Sequence, residues 1–131
     1  ETAAAKAVAA RQAGYKQLGG AFKTINDELK KDAPDMAAIA AAATKMRDAS
    51  AAIPGWFPKG SGAEAGVETR AKPEIWSDPA GFAAANGALK AEVAKLQKLA
   101  VAGDLAGVRG QVKPTGASCS GCHDKYRTPK S

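Results

Sequence analysis

The sequence is short of the residues that most often do chemistry. It has one histidine and two cysteines, and aromatic residues make up only 5% of the chain. No apolar stretch approaches the ~20 residues needed to span a bilayer. No segment alternates apolar and polar residues as a half-buried strand does. Low-complexity tracts and convincing internal repeats are missing too. Acid is in the minority: 19 Lys and Arg stand against 13 Asp and Glu, a formal charge of +6. That surplus is too scattered for a nucleic-acid footprint, since its longest clusters are pairs such as Lys30-Lys31 and no aromatic interleaving accompanies them. It reads as charge that keeps molecules apart in solution.

What the chain has in quantity is alanine. Hydrophobic residues are 45% of the total, and much of that share is alanine. Alanine is the best helix former but a poor core filler. The expectation is an all-helical protein whose core needs something further to fill it. The 131 residues suit one domain, expected to run 1–131. The chain opens on Glu1 rather than Met, as a processed mature chain would and as an engineered start also would.

Residues 3 to 31 carry the longest helical pattern. Val8, Arg11, Tyr15, Leu18, Phe22, Ile25 and Leu29 recur three and four apart and so share one helix face. Arg11 is the anomaly, because a charge in an apolar stripe is costly without a partner. Gly14, Gly19 and Gly20 also interrupt this helix, each at ~1 kcal/mol relative to alanine. They read either as a close approach of something to the backbone or as packing against a neighbouring helix. Ala33-Pro34-Asp35 stops the first helix and starts a second, with Met36, Ile39, Ala43, Met46 and Ile53 inward. "IPGWFPKGSG", residues 53 to 62, breaks the pattern with two prolines and three glycines. Residues 54 to 76 then form a long connection of the kind that is often functional. It carries Trp56, Phe57 and Trp76 and is expected to fold back over something apolar. "SDPAGF" starts a third helix, capped by Ser77 or Asp78, with Phe82, Ala85, Leu89, Val93, Leu96 and Ala100 on its stripe. Gly103 ends it and Asp104 caps a fourth, which runs through Leu105, Val108 and Val112 toward the cysteines. Pro114 lies inside this last helix and predicts a kink or break near residues 110 to 116. Four helices with two short links and one long one predict an antiparallel four-helix bundle.

Residues 119 to 123, "CSGCH", hold both cysteines and the only histidine. Cys-x-x-Cys-His is the attachment sequence of a c-type haem. Two thiols three residues apart on a helix reach the two vinyl groups on one edge of a porphyrin, and each adds across a vinyl to give a thioether. The adjacent imidazole then supplies an axial ligand. Ser120 and Gly121 are small enough not to obstruct the macrocycle. The rivals are weaker. A structural zinc normally takes four ligands, and the motif offers three. A thioredoxin-like dithiol sits between a strand and a helix, and no strand is expected. A disulfide within the motif, or a chance pentapeptide, leaves the underfilled core unexplained. A large, flat, apolar disc would complete it.

The residue census narrows the type of haem. One histidine excludes bis-histidine ligation. A class I cytochrome c has its motif near the start and a ligand Met far downstream, whereas here only eight residues follow His123, none of them Met. A sixth ligand would have to be Met36, Met46, Tyr15, a lysine or the terminal amine. Both methionines sit at core-like positions, where packing is the expected role.

With these pieces in place the chain resembles cytochrome c′, the class II c-type cytochrome family and a standard example of a four-helix bundle, over nearly its whole length. "RQAGY" at 11 to 15 is similar to that family's first-helix haem-contact segment, "KPEIWSDPAGF" at 72 to 82 to the start of its third helix, and "GASCSGCHDKYR" at 116 to 127 to its attachment site. The resemblance implies one covalent haem c in a bundle, usually a homodimer, in the bacterial periplasm after export as a precursor. It implies thioethers at Cys119 and Cys122, His123 as the proximal iron ligand, and Arg11 with Gln12 at the haem propionates. A carboxylate there would offset the cost of burying the guanidinium. Thr69 and Arg70 occupy the stretch that borders the haem in relatives. Arg127 lies one turn beyond His123 on the proximal side, or is a solvated terminal arginine. Tyr15 stands where the family places a bulky distal residue. Low-spin relatives of the cytochrome c-556 type carry a ligand Met in the first helix, and this first helix has none.

The resulting expectation is a five-coordinate, high-spin iron with Tyr15 blocking rather than ligating its distal side. The alternative for Tyr15 is an ordinary core residue. Such a site disfavours O2, for which no distal histidine donor exists, yet admits NO and CO. NO scavenging or carriage is the first functional reading. An electron carrier cycling Fe(III) and Fe(II), its basic surface suited to an acidic partner, is the second. A peroxidase-like enzyme is disfavoured because the sole histidine is already proximal.

Overall fold

The computed structural model describes residues 2 to 126, without the side chains of His123, Asp124 and Lys125. The helices are α1 (Ala3–Leu29), α2 (Met36–Ala52), a single turn α3 (Glu74–Ser77), α4 (Pro79–Val101) and α5 (Leu105–Tyr126). No β-strand occurs among the described residues. The four long helices make the bundle, so the predicted fold class holds.

The ends of these helices follow from local chemistry. The Thr2 hydroxyl accepts from the Ala5 amide, and the Asp35 carboxylate accepts from Ala37 and Ala38. Of the two candidates before α4, Asp78 is the cap, accepting from Gly81 at 3.1 Å with Pro79 in the first turn. Gly103, at φ +73°, ends α4 in the left-handed region that suits glycine, and Asp104 caps α5 by accepting from Gly107 at 2.8 Å. Between α1 and α2, Glu28 accepts from the Asp35 amide at 2.9 Å and pairs with Lys31 at 2.6 Å. Those bonds hold its carboxyl below the usual carboxylate range, the Lys31 bond foremost.

The apolar stripes meet as expected. Val8, Leu18 and Ile25 of α1, Ile39, Ala43 and Met46 of α2, Phe82, Leu89, Val93, Leu96 and Ala100 of α4, and Val108 of α5 are buried. Helix α1 packs on α2, α2 on α4, and α4 on α5. Helices α1 and α5 are tied at one end, where Arg109 of α5 donates to the Leu29 carbonyl at 2.8 Å. At the other end of this antiparallel pair they part, and a cavity lies between the start of α1 and the end of α5.

Two sequence expectations need correction. The expected break does not occur: helix α5 continues through Pro114. The proline deprives the Gly110 carbonyl of its helical donor, but Gly110 and Pro114 both lie on the exposed face, where water can serve that carbonyl. Side chains brace the helix around it: the Thr115 hydroxyl donates to the Gln111 carbonyl at 2.9 Å and the Ser118 hydroxyl to the Pro114 carbonyl at 3.1 Å. The close-approach reading of the α1 glycines holds only at Gly14. Gly19 and Gly20 have nothing near enough to meet an added Cβ.

Candidate functional site

The connection between α2 and α4 builds one wall of the site. Helix α2 runs straight into a 3-10 turn, Ile53–Trp56, with Pro54 in its first turn. The turn swings Trp56 back against α1, and Phe57 follows into the bundle. Trp56 rests on Gly14: a Cβ there would collide with its ring. A second 3-10 turn, Ala63–Ala65, precedes the strip of residues 69–71 beside the cavity. The Trp76 indole N–H ties the two arms of the connection together by donating to the carbonyls of Phe57 at 3.1 Å and Pro58 at 3.3 Å.

The cavity holds about 410 Å³, within the ordinary range for small-molecule sites. Its apolar walls are Tyr15, Phe57, Ile75, Phe82 and Tyr126. The rings contact one another edge to face: Phe57 and Phe82 at 5.0 Å, Phe82 and Tyr126 at 5.0 Å. Cys122 reaches the cavity from α5. Its partner Cys119, one turn earlier on the same helix, is half-buried against the core. Burial pushes the Cys119 thiol up from its ordinary pKa. Among the described residues no group of three or more His, Cys, Asp or Glu side chains is placed to hold a metal ion. His123 lies on α5, but its side chain is outside the described residues, and so is the whole of Arg127.

The arginine in the apolar stripe is the most informative side chain. Arg11 is only 2% exposed. One Nη1 hydrogen goes to the Ser61 hydroxyl at 2.9 Å; Nη2 serves the Ser61 carbonyl at 2.6 Å and the Thr69 hydroxyl at 2.7 Å. The guanidinium also lies over the Phe57 ring, 4.8 Å from its centroid. Burial lowers its pKa, and the neighbouring Tyr15 works against that shift. Three of its five N–H groups are used, and no carboxylate among the described residues pairs with it. Arg11 itself borders the cavity. A buried cation without an anion, beside an apolar slot, fits a flat apolar ring system that carries carboxylates.

The other predicted site residues are also here. Gln12 makes a long bond, 3.4 Å, to the Glu68 carbonyl and lines the cavity with Thr69 and Arg70. Neither Met36 nor Met46 lines it. Met46 is fully buried in the core and Met36 packs against it. Sequence reasoning missed Ser61, which is fully buried and holds Arg11 by both hydroxyl and carbonyl. It also missed Phe82 and Tyr126 as cavity walls. Replacing Arg11 by Met is expected to lower stability by about 2–4 kcal/mol, because Ser61 and Thr69 lose a charged donor in a buried setting. Chemical denaturation followed by circular dichroism checks it.

Comparison with known proteins agrees with this geometry. The family model for cytochrome c′ matches residues 6–127. Cytochrome c′ of Alcaligenes xylosoxydans xylosoxydans is 37% identical over 124 residues, covering 95% of this chain and 94% of that one. A nitric oxide complex of a cytochrome c prime mutant from Alcaligenes xylosoxidans superposes with a TM-score of 0.87 at 35% identity, covering 99% of this chain and 100% of the other. A carbon monoxide-bound variant from the same organism gives 0.86 at 34%, covering 98% and 100%. In sequence and in fold, the chain belongs to the cytochrome c′ family, four-helix bundles whose cofactor is covalently attached haem c.

Proposed function

We propose that this chain is a periplasmic gas-binding haem protein, exported as a precursor, in which Tyr15 restricts access to the distal side of a five-coordinate iron. When bound, the haem supplies an iron that takes NO or CO, as in the similar proteins solved with those ligands. Cys119 and Cys122 are its attachment points and His123 its proximal ligand. Arg11, Gln12 and Arg70 face its carboxylates, and Thr69 holds Arg11 in place.

The observation that carries this reading is the position of Tyr15. Its ring lines the same cavity that Cys122 enters from the opposite helix, and two aromatic neighbours confine it. Trp56 stands edge-on at 5.1 Å and Phe57 is tilted at 6.2 Å. A ligand in this space must first move the tyrosine. That requirement penalises weak ligands more than strong ones. Neither methionine competes, since both are committed to the core. We read the chain as a binding protein rather than an enzyme, working as a homodimer. Among the described residues no helix is long and apolar enough to cross a membrane.

Optical and EPR spectra of the ferric and ferrous forms test the coordination. A high-spin, five-coordinate signature is expected. A low-spin, six-coordinate signature would defeat the proposal. Electron transfer is the second reading, favoured by Lys16 and Arg70 at the cavity, cations that would suit an acidic redox partner. Low-spin spectra in both oxidation states would move the assignment to it.

A further inference from the structure

The pocket's tyrosine does not stand alone, and the geometry points to Trp56 as the residue that sets how easily gas enters. We infer that Gly14, Trp56 and Tyr15 form one latch in which Trp56 is a positioning residue for Tyr15. The inference deepens the gas-gate reading and rests on it.

Three observations carry it. First, Gly14 sits mid-helix, where glycine is costly, and the space of its missing side chain is taken by the six-membered edge of the Trp56 indole. Trp56 therefore has no slack toward α1. Second, the other side of Trp56 meets Tyr15, with ring centroids 5.1 Å apart and planes at 77°. That edge-to-face arrangement is the favoured one for aromatic pairs. Third, Phe57 bounds Tyr15 at 6.2 Å and is itself held by Phe82 at 5.0 Å and by the Arg11 guanidinium. The volume beside Tyr15 into which its ring would turn is thus the volume that Trp56 occupies. Trp56 is only half-buried and ends a short 3-10 turn rather than a long helix. Phe57 is half-buried too, but of the two rings flanking Tyr15 it is the one held by Phe82 and Arg11.

The consequence is a division of labour. Tyr15 blocks the cavity, and Trp56 decides how often Tyr15 can leave. Removing the indole opens space for the tyrosine to retreat, so ligand association should quicken even though Tyr15 is still present. An edge-to-face pair of this kind corresponds to a change of about two- to tenfold in rate.

The experiment measures carbon monoxide association to the ferrous holoprotein by stopped flow in wild type, Trp56→Ala, Trp56→Phe, Tyr15→Ala and Trp56→Ala/Tyr15→Ala. Thermal midpoints and a crystal structure of Trp56→Ala accompany it. Association is expected to rise about two- to tenfold in Trp56→Ala and to return toward wild type in Trp56→Phe. The Trp56 effect is expected to vanish once Tyr15 is gone, and the crystal structure is expected to show the Tyr15 ring turned into the vacated space. A Gly14→Ala change should alter the rate in wild type and leave it unaltered in Trp56→Ala, since its methyl acts through the indole alone. If Tyr15→Ala speeds binding while Trp56→Ala leaves both the rate and the Tyr15 ring where they were, the latch is wrong and the gate survives. If Tyr15→Ala itself leaves the rate unchanged, the gate reading fails first.

Discussion

Changing both Cys119 and Cys122 to serine is expected to release the haem completely when the protein is treated with acid and organic solvent, whereas the parent chain keeps it. The reason lies in which bonds survive. Acid protonates the His123 imidazole and ends any bond it makes to iron. It unfolds the bundle as well, so Tyr15, Phe57, Phe82 and Tyr126 no longer enclose anything. A thioether has no such weakness, and two sulfur–carbon links at Cys119 and Cys122 would hold through both events. Mass spectrometry of the denatured chain reads the difference directly. One serine at a time is the more discriminating test. Cys122 opens into the cavity, while Cys119 packs half-buried against the core. Each single variant should retain the group by one link, and the peptide carrying it should contain the surviving cysteine. Parent protein that yields free pigment, or a chain with no added mass, would remove the basis of the functional proposal.

The second large effect is expected at Tyr15. Tyr15→Ala should raise the CO association rate by about tenfold or more, each tenfold representing ~1.4 kcal/mol of barrier. The substitution deletes the ring that lines the cavity opposite Cys122 and leaves Trp56 and Phe57 without the group they confine. Tyr15→Phe separates bulk from polarity. It keeps the ring and removes the hydroxyl, so a rate close to wild type would assign the effect to steric obstruction. A large rise in Tyr15→Phe would instead place the control in the hydroxyl. Flash photolysis or stopped flow measures either.

How much of this was legible beforehand depended on whether the physics was local. The "CSGCH" pentapeptide declared its chemistry outright, because spacing along one helix fixes which atoms can reach one edge of a ring. The α1 stripe also spoke clearly. Arg11 broke an apolar face, and an unusual cost implies an unusual partner. The partners themselves were not readable. Ser61 is fifty residues away in a loop, and nothing in its neighbourhood signals that its hydroxyl and carbonyl both turn to Arg11. Gly14 shows the same limit. Its place in a helix interior advertised a close contact, but Trp56 could be named only once the 3-10 turn was seen to fold back. Pro114 misled for the opposite reason. The rule against proline inside helices is local and correct, yet its cost depends on whether the orphaned carbonyl faces solvent, which is a property of the assembled bundle.

One arrangement on α5 bears on how the molecule is made and remade. The two thiols lie a single turn apart on one helix, so linking them through a common ring closes almost no loop in the disordered polypeptide. Unlike a cross-link between distant segments, such a tether takes little entropy from the unfolded ensemble. Whatever it contributes to stability must come from contacts made in the native fold, through the aromatic walls and Arg11. It confers a kinetic advantage instead: a chain that opens cannot lose its pigment to dilution, and its return is a first-order event, independent of concentration.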